Sequence, residues 1–206
     1  MDVDGNSELS ATRERLIEAA REVFMHDGYR ASMDAIAARA GVAKQTLYNH
    51  FPSKADLFGA TACTASANIA IALEGDAATP RASLLAFAIK FRERVLGDEG
   101  LAMFRALTAE GTRFPEMNQT FFANGPSRTR ARLADFLDRA MAAGSLRRDD
   151  PVFAAEMLLG MLLGLDHARR LCLAEASAEA EEPRVARIVD CFLRAYAAPA
   201  GCEDSR

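Results

Sequence analysis

Residues 28–58 read GYRASMDAIAARAGVAKQTLYNHFPSKADLF and contain two short helical patterns on either side of a glycine. In the first pattern, four apolar residues recur at intervals that place them on one helical face: Met33, Ile36, Ala37 and Ala40. Ser32 precedes this face and is a favourable N-cap, and Gly41 follows it and can adopt the left-handed conformation that ends a helix. The pattern therefore predicts a short helix that stops at Gly41.

The second pattern predicts another short helix over residues 43–50. Isolated helices below about 12 residues are marginal in water, so this one needs support from its neighbours. Val42, Leu47 and Phe51 would give that support by facing inward. The other side chains would then face outward or to the flanks, and they include no acid: Lys44, Gln45, Thr46, Tyr48, Asn49 and His50. Two short helices joined by a glycine turn, the second presenting hydrogen-bond donors, are typical of a helix-turn-helix that binds the DNA major groove.

This stretch resembles the DNA-binding domain of the TetR/AcrR family of bacterial regulators. The matching positions are Gly28, Tyr29, Ser32, Met33, Ile36, Ala37, Ala40, Gly41, Val42, Lys44, Thr46, Leu47, Tyr48, His50, Phe51, Ser53, Lys54, Leu57 and Phe58. The resemblance implies a three-helix DNA-binding domain over residues 10–70 and a helical ligand-binding and dimerisation domain over residues 71–200. Residues 100–164 are similar, more loosely, to the C-terminal domain of AefR-type members.

Carried over position by position, the resemblance also implies a set of DNA-contacting residues. The set comprises Ser32, Met33, Ala43, Lys44, Gln45, Thr46, Tyr48, Asn49, His50 and Lys54. Residues 44–46 would reach base edges, where the amide side chains suit adenine and lysine suits guanine. Tyr48, His50 and Lys54 match family positions that contact phosphate, and Ser32 with Met33 matches the start of the preceding helix. Ala43 stands where a small polar residue is frequent, which removes a possible capping hydroxyl.

The charge pattern agrees with contact to phosphate at one place. The 206-residue chain has a net charge of −4, which argues against a strongly basic, sequence-blind nucleic-acid binder. Residues 30–54 nevertheless hold four bases against the single acid Asp34. Lys44 and Lys54 both lie near predicted helix starts, where a cation opposes the helix dipole. This placement predicts an anion such as phosphate beside them, with solvated surface lysines as the alternative.

The rest of the chain predicts helices only, because no sustained alternation of β-branched residues appears and turns fall between helix-length pieces. Residues 1 to about 9 are expected to form a disordered lead, and Ser10 or Thr12 to cap the first helix. Pro52 and Ser53 would start a helix that runs to about Leu73. Later helices are expected at residues 81–96, 98–111, 116–142 with a break at 124–126, 151–173 and 184–197. The predicted fold is all-α.

Two of these helices carry wide apolar surfaces. Between residues 152 and 165 only Glu156 is charged, and a helix that is apolar all round must be covered all round. A homodimer in which the last two helices meet their symmetry mates would cover them, and the family resemblance implies the same arrangement. The expected interface residues are Leu158, Gly160, Leu162, Gly164, Ile188, Phe192 and Tyr196. The alternative is that each helix is covered within its own chain.

Six of the twelve phenylalanines lie between residues 87 and 122, and with four methionines they would suit a hydrophobic effector pocket. The predicted lining is Phe87, Phe91, Met103, Phe104, Leu107, Met117, Phe121, Phe122, Met157 and Met161. The alternative is ordinary hydrophobic core. With this pocket, the resemblance implies a repressor that a small apolar or amphipathic effector releases from a pseudo-palindromic double-stranded DNA operator.

The remaining features argue against other functions. Cys63, Cys172, Cys191 and Cys202 have no metal-site spacing, which indicates free thiols in a reducing cytosol, with a thiol-based redox sensor as the alternative. The N-terminus does not resemble a signal peptide, and the run at 152–165 is shorter than the roughly 20 residues that cross a membrane, so a cytoplasmic protein is expected. The chain has three histidines and no Glu-x-x-His, so a helical-bundle enzyme is disfavoured. We expect no catalytic residue, metal or cofactor. A helical partner-binding protein remains a third alternative.

Overall fold

The computed structural model describes residues 3–173 and 180–198, with side chains from residue 9 onward. Within these ranges the chain forms ten α-helices, two short 3-10 turns and one isolated β-bridge between Leu146 and Ala197. The helices are α1 (Val3–Asp27), α2 (Met33–Ala40), α3 (Lys44–His50), α4 (Lys54–Ala70), α5 (Pro80–Leu96), α6 (Asp98–Glu110), α7 (Pro115–Asn124), α8 (Pro126–Ala142), α9 (Pro151–Leu171) and α10 (Glu181–Ala195). The all-α prediction is confirmed.

Local chemistry sets most helix boundaries where the sequence predicts them. Ser53 Oγ accepts a hydrogen bond from the Asp56 backbone N–H at 3.1 Å and so caps α4. The side chain of Asp150 accepts from the Val152 N–H at 2.8 Å, directly before the proline that opens α9. The predicted break at residues 124–126 separates α7 from α8. Capping residues and prolines therefore locate these ends correctly.

The start of α1 differs from the prediction. The helix begins at Val3, so the expected disordered lead is wrong, and Ser10 lies within the helix, where its hydroxyl donates to Glu14. The buried residues Leu16 and Ile17 anchor α1, and extending an existing helix adds a hydrogen bond for each residue that is fixed. The polar residues before Leu16 can therefore extend α1 toward the N-terminus.

The described chain packs as two compact units. The first unit contains the residues up to Ser66 together with Asp98–Ser127, and the second contains Ala67–Gly97 and the residues from Arg128 onward. The sequence places a domain boundary at residue 70, and packing adds α6 and α7 to the N-terminal helices. Each unit is therefore built from two separate stretches of the chain, which a single boundary in the sequence cannot describe.

The core of the first unit holds the helix-turn-helix. Leu16, Ile36 and Leu47 are completely buried in it, which joins α1, α2 and α3. Aromatic rings pack edge to face beside them, with ring centroids 5.1 Å apart for Phe24 and Phe58. These apolar contacts hold α3, which is seven residues long.

In the second unit, α5, α8, α9 and α10 surround a separate core. Phe87, Phe136, Leu158 and Phe192 are fully buried there, one from each helix. Burying side chains of this size contributes about 1.5–3 kcal/mol each relative to exposure. One side of α9 packs in this core, and its other side is exposed.

A buried arginine crosses this second core. Arg92 of α5 is 2% exposed, and its guanidinium donates to the Asp166 carboxylate at 2.9 Å, to Glu181 and to the Leu162 carbonyl. Arg184 donates to the same Asp166 at 2.7 Å. We refer to Arg92, Asp166, Glu181 and Arg184 as the Arg92 cluster. It joins α5, α9 and α10.

The Arg92 cluster lies beside a break in α9. Gly164 has φ 46° and ψ −139°, which is not helical and is a conformation that favours glycine. The Leu162 carbonyl, which receives Arg92, comes just before this break, and Asp166 comes just after it. The side chain of Arg92 therefore contacts both sides of the interruption.

Two stretches among the described residues are long and apolar enough to cross a membrane by length and composition alone: Lys54–Glu74 and Pro151–Leu171. The expectation that the second is too short is therefore wrong, because the helix extends past residue 165. Core helices of soluble proteins satisfy the same criterion. The buried carboxylate of Asp166 and its arginine partners favour a core helix for α9, since such groups are costly in a bilayer.

The Arg92 cluster gives a prediction about acid stability. Burial alone would raise the pKa of Asp166, but hydrogen bonds from Arg92 and Arg184 outweigh it and hold the pKa below 3.8. The Arg92 hydrogen bond likewise holds the pKa of Glu181 below 4.5. Both carboxylates bind protons less readily folded than unfolded, so their contribution is complete above about pH 4.5 and is lost as the pH falls through the lowered folded values. Urea unfolding of wild type should show this loss.

Asp166→Asn should lower the free energy of unfolding at pH 7 by about 3 kcal/mol, because it removes one carboxylate from a buried arginine. It should also flatten the acid dependence below pH 4.5. Asp190→Asn is the matched control, since Asp190 binds Arg81 through both oxygens in the same unit but on the surface. A loss as large for Asp190→Asn as for Asp166→Asn would contradict the role of burial.

Candidate nucleic-acid interface

The turn between α2 and α3 has the predicted geometry. Ser32 Oγ accepts a hydrogen bond from the Ala35 N–H at 3.0 Å and caps α2. Gly41 has φ 65° and ψ 38°, the left-handed conformation, and the next residue, Val42, donates to the Ala37 carbonyl at 3.0 Å. These bonds close the end of α2 and redirect the chain into α3. The predictions for Ser32 and Gly41 are confirmed.

Packing decides which side of α3 faces solvent. Leu47 is completely buried, Phe51 is 3% exposed, and Val42 packs half-buried against the same core. The opposite side is exposed and carries Lys44, Gln45, Tyr48 and Asn49, with Thr46 and His50 half-buried at its margins. We refer to these six residues as the α3 face. It is the surface predicted from the sequence.

The amides of the α3 face interact with each other. Gln45 Nε2 donates to Asn49 Oδ1 at 3.0 Å, one helical turn away. The pair retains donor and acceptor atoms that are not used within it. Such atoms match the donor and acceptor groups of a base pair in the major groove.

Ala43 is the N-cap of α3, and no side-chain hydrogen bond caps this helix. The backbone has the extended conformation that a capping residue adopts, with φ −67° and ψ 147°. A serine here would supply the missing acceptor. The consequence expected from Ala43, a missing cap, is confirmed.

Four residues of the predicted DNA-binding set lie outside the α3 face: Ser32, Met33, Ala43 and Lys54. The side chain of Met33 is in the core of the first unit, and the residue is 8% exposed, because it lies on the buried face of α2 beside Ile36. Its predicted place beside the DNA backbone, at the start of α2, stays a prediction. Ser32 and Ala43 are exposed, and both lie immediately before a helix.

Lys54 is half-buried, and its Nζ lies 4.6 Å from the centroid of the Tyr29 ring. Burial lowers the pKa of its ammonium. A cation over an aromatic face has an attractive partner within the protein. The inference that Lys54 requires an external anion is therefore not supported.

Lys44 also has a partner within the first unit. Its Nζ lies 2.7 Å and 3.1 Å from the two carboxylate oxygens of Asp34. This hydrogen bond and the negative charge of Asp34 raise the pKa of Lys44. The centroid of the Tyr48 ring lies 6.0 Å from Lys44 Nζ. The sequence did not identify Asp34 as the partner of Lys44. A usable signal was that both residues lie near helix starts and that a glycine turn joins the two helices.

The other two bases of residues 30–54 are paired as well. Arg30 contacts Glu110 at 2.8 Å and Arg39 contacts Glu22 at 2.6 Å. Both carboxylates come from outside the sequence window that looked basic. The window is therefore compensated in three dimensions, and the prediction of a free basic surface needs this correction.

The residues predicted to line an effector pocket occupy several places. Those in or against the second core are Phe87, Phe91 and Met161. Those in or against the first core are Met103, Leu107, Met117 and Phe121. The exposed ones are Phe104, Phe122 and Met157. Neither unit brings the set together, and the alternative of ordinary core describes the buried members better.

One open groove in the second unit has a volume of about 770 Å³. Leu85, Ile89, Leu146 and Leu193 provide its larger apolar side chains. Arg81 lies at the groove and is bound to Asp190. None of the predicted pocket residues lines this groove.

The predicted dimer residues divide into inner and outer positions. Four of them are buried in the core of the second unit, so their assignment to an interface is wrong: Leu158, Leu162, Phe192 and Tyr196. Ile188 packs half-buried against the same core. Gly160 and Gly164 are exposed. The buried residues were predicted as interface residues because they are apolar. The side of each helix that carries them packs in the core of the same chain instead.

The outer side of α9 carries three large apolar residues that were not predicted as interface residues. Phe153 is 52% exposed, Met157 45% and Leu165 66%. With Gly160 and Gly164 they form a strip along the helix, which we refer to as the α9 outer face. A helical spacing of i, i+4, i+7 and i+11 from Phe153 was the available signal. Between residues 152 and 165, apolar side chains therefore lie on both the buried and the exposed side of α9, with Glu156 as the one charged residue.

Comparison with known proteins connects both units to one family. A family model described as "Bacterial regulatory proteins, tetR family" matches residues 16–61. A second model, described as "AefR-like transcriptional repressor, C-terminal domain", matches residues 82–198. Together the two models span most of the described chain.

Relatives with sequence similarity match over short stretches of the chain. The chain is 55% identical over 47 residues to the HTH-type transcriptional activator FasR of Mycolicibacterium smegmatis. It is 44% identical over 55 residues to the HTH-type transcriptional regulator UidR of Escherichia coli K12. These matches cover 22% and 26% of this chain, and 22% and 28% of those two proteins.

Solved structures match over nearly the whole length. The flavonoid-responsive regulator FrrA is 32% identical with a TM-score of 0.68, covering 93% of this chain and 100% of that one. A protein from Mesorhizobium loti described as a TetR-family transcriptional regulator is 25% identical with a TM-score of 0.73, covering 92% and 98%. Sequence and fold therefore agree across both units.

The uncapped start of α3 gives a prediction about stability. Ala43→Ser should raise the free energy of unfolding of the first unit by about 1 kcal/mol, because its hydroxyl can accept a hydrogen bond from an unpaired N–H of the first turn. Thermal and urea unfolding would measure the gain. Ala38→Ser, at an exposed position inside α2, is the matched control and should give no gain. An unchanged or lower stability for Ala43→Ser would show that the missing cap does not limit α3.

Proposed function

Because this chain belongs to the TetR family of bacterial regulatory proteins, we propose that it binds an operator through its α3 face and regulates transcription in the cytoplasm. The observation that carries the proposal is the orientation of α3. Its apolar residues are buried, and its donor-rich side is exposed without an acid of its own. A helix of this kind fits the major groove.

Within the α3 face we assign base contacts to Lys44, Gln45, Thr46 and Asn49. The amides suit adenine N6 and N7, and the lysine suits guanine O6 and N7. Tyr48 and His50 are assigned to phosphate, with Ser32 and Ala43 beside the backbone at the helix starts. Lys54 is assigned a weaker phosphate contact, because it must leave the Tyr29 ring to reach DNA.

We further propose a homodimer, which places two recognition helices on two half-sites of a pseudo-palindromic operator. The α9 outer face is assigned as the interface, in place of the buried residues predicted from the sequence. Its large exposed side chains, Phe153, Met157 and Leu165, are unusual for a surface helix, and its glycines permit close approach of backbones. Ile188 of α10 would lie at its edge.

The proposed regulation is release of a repressor by a small apolar or amphipathic effector. Support comes from the match to an AefR-like repressor domain and from the flavonoid-responsive relative, which suggests an amphipathic aromatic compound. An effector would act by binding more tightly to a conformation that does not fit the operator. FasR is named an activator, so a transcription assay with the isolated operator decides the direction of control.

Control by thiol oxidation is the second candidate. Cys172 and Cys191 are exposed, and Arg194 Nη2 donates to the Cys191 sulfur at 3.0 Å. Cys202 lies outside the described residues. Release of the operator by an oxidant, with no release by apolar or amphipathic compounds, would favour this candidate over an effector.

The first test selects binding sites for the purified protein from a random DNA pool. Wild type should enrich a pseudo-palindromic sequence, and Gln45→Ala should lower its preference over scrambled DNA by roughly 5- to 150-fold per half-site, the range for one good base contact. Gln119→Ala removes an exposed amide elsewhere in the same unit and should leave the preference unchanged. Failure of wild type to enrich any sequence would refute the DNA-binding proposal.

The second test concerns the dimer. Phe153→Glu with Met157→Glu should convert the protein to a monomer, because charged groups replace the apolar centre of the α9 outer face. Light scattering coupled to gel filtration would measure the mass. Ala143→Glu adds charge at an exposed position of the same unit and should leave the dimer intact. A double variant that remains dimeric would place the interface elsewhere.

A further inference from the structure

We propose that Asp34 is a positioning residue that directs the Lys44 ammonium toward a base rather than toward phosphate. The inference rests on the proposed function, since it assigns to Asp34 a role in the base contact of Lys44. Asp34 lies on α2 and would itself contact neither the base that Lys44 reads nor a phosphate.

The geometry of the pair supports positioning. Both carboxylate oxygens of Asp34 lie within hydrogen-bond distance of Lys44 Nζ, at 2.7 Å and 3.1 Å. The centroid of the Tyr48 ring lies 6.0 Å from the same nitrogen, so the ammonium also has an aromatic neighbour. An ammonium group has three donors, and a carboxylate partner leaves donors for a base.

The placement of Asp34 is unusual for a surface that meets DNA. It is the sole acid among residues 32–54, and its side chain is 62% exposed. A carboxylate on such a surface repels phosphate, which lowers affinity for DNA of any sequence. A lysine without this partner could swing to the backbone at every site, because its charge is then available to any phosphate. The carboxylate therefore costs general affinity and favours a directed contact.

A competing explanation is that Asp34 stabilises α2 through the helix dipole, since it lies in the first turn. This explanation predicts an effect on thermal unfolding and none on base preference. The alternative of a purely repulsive charge predicts tighter binding to all DNA with the base preference unchanged. The three explanations therefore predict different effects of removing the charge. Positioning predicts a reduced base preference, the helix dipole predicts a change in thermal unfolding, and simple repulsion predicts tighter binding to all DNA.

The experiment compares wild type, Asp34→Asn, Lys44→Ala and the double variant on the selected operator, on single-base variants of it and on scrambled DNA. Asp34→Asn should reduce preference at the same base position as Lys44→Ala, by at least fivefold, the lower end for one base contact. It should also tighten binding to scrambled DNA by roughly two- to thirtyfold over two half-sites and steepen the salt dependence by about one unit per half-site. In the double variant, preference should fall no further than in Lys44→Ala.

Two controls separate position from charge. Glu22→Gln removes one carboxylate from a surface ion pair of the same unit, with Arg39 at 2.6 Å, and should leave base preference unchanged. Asp34→Glu keeps the charge and should recover most of the preference. Equal loss of preference in Glu22→Gln and Asp34→Asn would overturn the inference. An unchanged base preference in Asp34→Asn would overturn it as well.

Failure of the inference is distinct from failure of the proposed function. Wild type that enriches no sequence, or a Lys44→Ala variant with unchanged preference, removes the DNA role on which Asp34 depends and overturns both. A Lys44→Ala variant that loses preference while Asp34→Asn keeps it overturns the role of Asp34 alone.

Discussion

The α3 face depends on the packing of Leu47 in the core of the first unit. A seven-residue helix is not stable in isolation, and α3 has no side-chain cap at its start. Leu47 is completely buried, and Phe51 directly after the helix is nearly so. With one side anchored in this way, the helical period fixes the direction of every other side chain. The exposed donors are thus oriented by an apolar contact on the opposite side of the helix.

In the second unit, one buried polar group and one exposed apolar surface occur on the same helix. In the Arg92 cluster each nitrogen of the guanidinium donates to a carboxylate or a carbonyl, so this charged group can lie in the core. Its bonds fall on both sides of Gly164, where α9 is interrupted. The α9 outer face also extends on both sides of that glycine. The cluster therefore holds the shape of the surface that we assign to the dimer.

Features determined by neighbours in the chain were predictable. Caps at Ser32, Ser53 and Asp150, the left-handed Gly41 and the inward direction of Leu47 follow from local preference and periodicity. Features determined by distant segments were not. An apolar residue such as Leu158 looks equally suited to a core and to an interface, and only packing shows which side of α9 faces inward. The same limit applies to the aromatic residues predicted as one pocket, which packing distributes between two cores.

Charge shows this limit most clearly. Residues 30–54 look basic in sequence, yet Glu22 and Glu110 from other helices pair with Arg39 and Arg30. DNA binding by this unit would therefore exchange protein partners for phosphate rather than fill an empty basic surface. Exposed ion pairs are weak in water, so such an exchange is feasible for Arg39 and Glu22, whereas the side chain of Glu110 is only 15% exposed. Asp34 differs from the two glutamates because it lies within the helix-turn-helix itself, with a carboxylate oxygen 2.7 Å from Lys44 Nζ. In the binding mode that we propose, a carboxylate in that position would affect where the cation points as well as how strongly the unit attracts DNA.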